Sequence, residues 1–394
     1  MKKDELENLE GLIHSDFFPV KNNLRYISAA NVAPTNSRAT KKIIEWQENL
    51  MLYGNNRFTD EEEKNAYLNL REASSKLLNT SKNNIACGSS ATVLLSSFAW
   101  SLCPKKDSNI VSTEASFPST VYPWKRISMH TGAKLKLAPH DKNYYTKIED
   151  IVSLINESTA VVCVPHVEFT NGQVYDLKYL ASVAHKYNAL LVVDATQSAG
   201  VIPIDVNNED IDVLVSASYK WLCGAFGSAF MYIKPTVYKE LTPGLLGFRS
   251  HKDMWNLQAK RIELCEDADK FEFDTTHFGS AYGLAESINF LLEIGIKNIY
   301  NHDISLADKL IHELKKFNIV KIITPYYETK RSPIVTIKIL GHDTEKIINC
   351  LRENKIIVSN RSGYIRFSPH LYNTMDDIDF TLKVLEKIMY HSKL

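Results

Sequence analysis

The sequence predicts an α/β protein: a large domain on a mostly parallel sheet, followed by a smaller α+β C-terminal domain. Three observations carry this expectation. The chain has 394 residues, too many for one small core and suited to a large domain plus a smaller one. From "NIACGSS" to "SAFMYIKP", short apolar runs rich in Val and Ile alternate with helical segments, the pattern of parallel strands covered by helices on both faces. After about residue 285 the alternation gives way to long helical stretches and a few strands. The reading places the large domain at 25–285 and the small one at 286–394, with residues 1–24 packing on the latter.

Taken in order, residues 3–14 read as a short amphipathic helix, and "NLRYISAANVAPTN" (23–36) as a short strand and a Pro-containing loop. One helix is expected over 37–54 and another over 60–79, where Leu68, Ala73, Leu77 and Leu78 fall near helical spacing. Then strands and helices alternate: "NIACGSS", "ATVLLSSFAWSLC", "NIVSTEAS", "STVYPWKRISMHTG" with its glycine stop, "KLKLAPH", "KIEDIVSLIN", "TAVVCVPHVEF" and "DLKYLASVAHKYN". Three strands close the series, in "ALLVVDATQ", "DIDVLVSAS" and "SAFMYIKP". The C-terminal part reads as a long helical stretch (281–317), a strand in "SPIVTIKIL", a helix at 343–353, "KIIVSNRSGYIRFSPH", and a terminal helix.

Bulk properties exclude several function classes. Lys+Arg and Asp+Glu are both 46, so neither nucleic acid nor an acidic membrane is expected as a partner. The N-terminus lacks the apolar region of a signal peptide, and no stretch reaches the length of a membrane span. The six cysteines are scattered, with no C-x-x-C pair and no metal-ligand spacing. They read as free thiols of a cytoplasmic protein without a metal.

Open α/β sheets bind ligands beyond the carboxyl ends of their strands, and three stretches fall there. "CGSSAT" (87–92) places small residues between a strand and a helix, where backbone N–H groups and the helix N-terminus suit a phosphate. Asp194 ends the apolar run Leu190–Val193; it serves either as a loop acid or cap, or as the partner of a cation. Lys220, in "SASYKWLCG", follows another apolar run. A surface lysine would snorkel to water; a desolvated one becomes an amine nucleophile able to form a Schiff base. An acid, an imine-forming lysine and a phosphate loop facing one pocket suit pyridoxal phosphate.

These motifs carry a resemblance. "LLVVDATQSAGVIPIDV" followed by "DVLVSASYKWLCGAFGSAFMYI" resembles the cofactor region of the class-V aminotransferase family, which includes cysteine desulfurases and kynureninases. The resemblance covers nearly the whole chain and implies the fold-type-I pyridoxal phosphate transferase fold. It implies Lys220 as the internal aldimine lysine, Asp194 as partner of the pyridine nitrogen, and Gln197 at the phenolic oxygen. Ser89 and Ser90 match the phosphate loop, and Ser218 and Tyr219 match the kynureninase-like pattern in which the tyrosine holds the phosphate. Thr275 matches the position that reaches the phosphate of a neighbouring subunit, implying a homodimer with shared active sites. Phe117 stands in the segment that stacks on the cofactor ring, where desulfurases have His.

Arg366 matches the arginine for the substrate α-carboxylate, a task suited to a bidentate guanidinium; Arg361 either assists it or pairs with a structural acid. In one desulfurase group a loop with the catalytic cysteine lies between these arginines. Here "NRSGYIRFS" runs straight through. The expected function is therefore a pyridoxal phosphate enzyme acting on an amino acid or its conjugate through Lys220 and Cα deprotonation. β-Elimination by a C–S lyase fits best, with transamination and epimerisation as alternatives. A catalytically silent binding module is the reading of another class, and the intact set of Asp194, Gln197, Lys220 and Arg366 argues against it. His166, Glu168, Phe169, Asn171 and Arg57 stay open between structural and substrate-facing roles.

Overall fold

The structure, a computed structural model, describes residues 16–328 and 330–391. The helix expected over 3–14 lies outside them. The strands are β1 (Arg25–Tyr26), β2 (Ile85–Gly88), β3 (Asn109–Thr113), β4 (Lys134–Ala138), β5 (Thr159–Pro165), β6 (Leu190–Asp194), β7 (Val213–Ala217) and β8 (Ala229–Ile233), then β9 (Val320–Ile322), β10 (Val335–Ile339), β11 (Ile356–Ile357), β12 (Ser359–Arg361) and β13 (Tyr364–Phe367).

Seven strands form one sheet in the order β2-β8-β7-β6-β5-β3-β4. Only β8 runs against its neighbours, β2 and β7; the pairings β7–β6, β6–β5, β5–β3 and β3–β4 are parallel. Strands β3, β7 and β8 are buried along their whole length, which is why they read as continuous apolar runs. β3 has β4 on one side and β5 on the other, so chain connections diverge there, opening a crevice at the carboxyl ends. Beyond that crevice, helix Ala91–Leu102 starts from Ser90, whose hydroxyl accepts from Val93 N at 3.2 Å. Helix Pro118–Thr131 starts with proline in its first turn and stops at Gly132, whose φ of 81° glycine adopts without steric cost.

The expected helix 60–79 is two helices, Asp60–Lys64 and Leu68–Leu77. Asn65 leaves helical geometry and its side chain bonds back to the Glu61 carbonyl at 3.0 Å. Tyr67 can then turn inward, edge-on to Phe278 at 5.5 Å. The long stretch after residue 277 is likewise divided, into Phe278–Ile294 and Ile296–Leu314, by Gly295 at φ 90°. Apolar residues up to Ile299 pack with the large sheet, while those from Leu306 onward pack with the second sheet. That sheet, β12-β13-β10-β9, is antiparallel. β1 and β11 form a separate two-stranded parallel sheet.

Candidate active site

The carboxyl ends of five strands converge on one pocket. Ser90, Ala91 and Thr92 enter after β2, Phe117 and Ser119 after β3, and Pro165, Val167 and Phe169 at and after the end of β5. Asp194, Thr196 and Gln197 come from the end of β6, and Ala217, Tyr219 and Lys220 from the end of β7. Sheet register makes this possible: Pro165 lies beside Asp194, and Asp194 beside Val215.

Asp194 finds hydroxyl and amide partners in place of a direct ion pair. Its Oδ2 accepts from Thr120 Oγ1 at 2.8 Å and its Oδ1 from Thr196 N at 3.0 Å. Lys220 is buried and, among the described residues, its Nζ has no hydrogen-bond partner. Burial pushes this amine down to about 7, although Asp194 opposes the shift; Arg366 and Arg361 reinforce it. Nζ lies 5.5 Å from the Phe117 ring centre and 5.9 Å from that of Tyr219. Phe117 meets Phe169 edge-on at 5.3 Å, and Tyr219 stacks on Phe226 at 4.5 Å. Gln197 is fixed from both ends: Nε2 donates to the Ala30 carbonyl at 3.0 Å, and Trp221 Nε1 donates to Oε1 at 2.9 Å.

Arg366, on β13, is fully buried. One terminal nitrogen donates to the Phe169 carbonyl, while Nε and the other terminal nitrogen have no partner among the described residues. Burial, then the Arg361 charge, lowers its pKa. Among the described residues, Arg361 donates to neutral oxygens, those of Asn31 and the Asn360 backbone.

The structure thus gathers Ser90, Phe117, Asp194, Gln197, Tyr219 and Lys220 around one cavity, with Arg366 anchored to the carbonyl of a lining residue. Ser89 is half-buried beside it, and the Ser218 hydroxyl turns away to the Ala225 carbonyl. Thr275 is exposed and outside the lining. Arg57 lies elsewhere, over the Tyr53 ring at 3.8 Å. Phe169 faces the pocket, whereas Asn171 serves structure, donating to the Tyr144 carbonyl at 2.9 Å. His166 N donates to the Asp194 carbonyl at 2.9 Å; burial pushes its imidazole down to about 4. Glu168 is buried and pushed up to about 7 by burial, accepting from Tyr175 at 2.9 Å and Thr113 at 3.0 Å.

Sequence reasoning missed Thr120 and Thr196, which hold Asp194. Both lie a few residues beyond a strand's carboxyl end, and that placement was the available signal.

The donor set fits pyridoxal phosphate. A buried unpartnered amine suits an aldehyde, a carboxylate held by hydroxyl and amide suits the pyridine nitrogen, and a capped helix N-terminus with Thr92 suits a phosphate. The orphaned guanidinium nitrogens of Arg366 call for an anion.

A family model described as aminotransferase class-V matches residues 33–380. The chain is 25% identical over 366 residues to an uncharacterized aminotransferase of Bacillus subtilis, covering 93% of this chain and 94% of that one. It is 30% identical over 293 residues to a probable cysteine desulfurase of Halalkalibacterium halodurans, covering 71% and 70%. Among solved structures, the cystine C–S lyase C-DES, in complex with its product cysteine persulfide, superposes with a TM-score of 0.84 at 20% identity, covering 93% of this chain and 98% of that one.

Proposed function

The chain belongs to the aminotransferase class-V family and is a pyridoxal phosphate enzyme, and on that premise we propose that it is a C–S lyase that cleaves the Cβ–S bond of a cysteine-derived amino acid. One observation carries the choice of reaction. β12 and β13 are joined by the two-residue turn Ser362–Gly363, both residues at positive φ, leaving no room for a thiol-bearing loop between Arg361 and Arg366. None of the described residues lining the pocket is a cysteine. Cys87 and Cys163 are fully buried, with thiols raised above their ordinary range by burial, and neither is a nucleophile at neutral pH. Elimination needs no protein thiol.

When bound, pyridoxal phosphate supplies an aldehyde that condenses with an amine and a ring that takes up electrons from Cα. Asp194, Gln197, Ser89, Ser90 and Tyr219 would hold that group and Phe117 would give it a flat apolar face, whereas Ser218, expected to join them, spends its hydroxyl on the Ala225 carbonyl. Arg366, assisted by Arg361, grips the substrate carboxylate. Lys220 Nζ, which burial leaves half deprotonated at about pH 7, takes the Cα proton. Loss of that proton, with the β-sulfur leaving as a thiol or persulfide, and hydrolysis of the remaining three-carbon fragment by water would give pyruvate and ammonia. The same reading makes the protein a homodimer in which Thr275 reaches the partner's site. It places the protein in the cytoplasm, in keeping with six free cysteines.

The test is incubation with cystine or S-substituted cysteines. Pyruvate and ammonia in equal amounts, lost in Lys220→Ala, are expected. A keto acid that retains the substrate's side chain, released without ammonia, would mean transamination and overturn the lyase reading.

A further inference from the structure

The turn that carries Lys220 is held by its carbonyl groups. That of Tyr219 accepts from Ala33 N at 2.9 Å, that of Lys220 from Cys223 N at 2.8 Å, and that of Cys223 from Asn36 N at 3.3 Å. The Leu222 carbonyl accepts from the Ser287 hydroxyl. The Trp221 carbonyl, next after the lysine, is held from the C-terminal part of the chain, by His370 Nε2 at 2.9 Å. Among the described residues its other side-chain donor is the Cys223 thiol, a weak one at 3.9 Å, and Gly200 packs so closely here that a Cβ would lie 2.6 Å from the Trp221 oxygen.

His370 Nδ1 lies 2.6 Å from Asp303 Oδ2, and both side chains are fully buried. A carbonyl oxygen has no proton to give, so Nε2 must carry one. Nδ1 and the carboxylate share another, and the ring is oriented from both sides. The ring also meets Trp221 edge-on at 5.1 Å. A buried ion pair contributes little to stability that an apolar side chain could not supply, so its geometry is the informative part. His370 follows Arg366 by four residues on the segment leaving β13.

We propose that His370, held by Asp303, is a positioning residue that clamps the Lys220 turn to the segment carrying Arg366, and so sets the amine and the guanidinium in register. The clamp rests on the reading of Lys220 and Arg366 given above. It acts on this chain's own backbone, so it is testable without the cofactor.

The test uses His370→Leu, His370→Gln and Asp303→Asn in the full chain. The first readout is the pH dependence of Lys220 acylation in cofactor-free protein, followed by mass spectrometry of the Lys220 peptide. The wild-type midpoint is expected near 7, set by burial against Asp194 and by the charges of Arg366 and Arg361. His370→Leu loosens the turn, admits water and raises the midpoint by about one unit. In the loaded enzyme it lowers kcat/KM by about 100-fold. His370→Gln, which returns a donor to the Trp221 carbonyl, recovers most of both. A folded His370→Leu protein with unchanged midpoint and kcat/KM, and only a lower Tm, overturns the clamp. Should His370→Leu not fold, Asp303→Asn is read the same way: a raised midpoint supports the clamp and an unchanged one overturns it. A wild-type midpoint at the ordinary lysine value would instead strike the Lys220 reading beneath it.

Discussion

Replacing Lys220 by methionine in the cofactor-free protein should make it more stable, and the gain should shrink as pH rises. Lys220 is buried, and its amine is pushed from 10.5 down to about 7 chiefly by burial. At about 1.4 kcal/mol per unit, holding that amine protonated in the folded state costs about 5 kcal/mol. Because the folded pKa is the depressed one, the cost is absent above 10.5 and complete below about 7. Between these limits the unfolded chain holds the proton and the folded chain does not. Stability from this group therefore rises with pH, by about 1.4 kcal/mol per unit. At pH 7 the site is half titrated and the cost is about 4 kcal/mol, a large share of the roughly 5–15 kcal/mol that folded proteins possess. Methionine has similar length and no charge, so Lys220→Met removes the cost and the slope together. Urea unfolding of both cofactor-free proteins at pH 7, 8 and 9 measures this, and the difference between them cancels the other titrating groups. A difference that does not change across that range would refute the reasoning, because Lys220 would then titrate alike in the folded and unfolded chains.

Two further outcomes are expected. Arg366→Met should raise KM for amino acids by about 100-fold through loss of a buried carboxylate partner, while leaving the cofactor-free protein at least as stable, since an unpaired buried cation is removed; kinetics and urea unfolding check the two halves, and Arg366→Lys should recover little because it lacks the planar fork. Thr120→Val, which removes the hydroxyl on Asp194 Oδ2 and keeps the shape, should weaken cofactor binding by about tenfold, as loss of a hydrogen bond to a charged group does; an absorbance titration with pyridoxal phosphate that shows unchanged affinity would dismiss that contact.

The large sheet was legible because its strands are buried and apolar, and one end of such a sheet is where ligands bind. That rule alone nominated Asp194 and Lys220. What escaped was of two kinds. The break at Asn65 rests on Tyr67 finding Phe278, more than two hundred residues away, and no local propensity encodes that. Thr120 looks like any residue in the first turn of a helix until β3, β5 and β6 place it against Asp194. For the acid, the sequence leaves a cap and a cation's partner both open, and the structure shows a hydroxyl and an amide holding it.

The burial of Lys220 and Arg366 ties the two halves of the chemistry together. Arg366 and Arg361 bring two fixed cations to bear on the Lys220 amine, and Asp194 is the carboxylate that opposes them there. Among the described residues, the arginines' hydrogen-bond partners are neutral oxygens. Low polarity has opposite effects on these groups. It disfavours the protonated amine, so Lys220 is a usable base near neutral pH. It also strengthens the pull of a fixed guanidinium on an anion, so Arg366, which cannot discharge by losing its proton as lysine does, gains grip on a carboxylate. A wetter pocket would protonate the amine and weaken the grip at once. Burial, more than any single contact, therefore makes the pair work together, and the β13 segment running from Arg366 to His370 joins the two sides of the pocket.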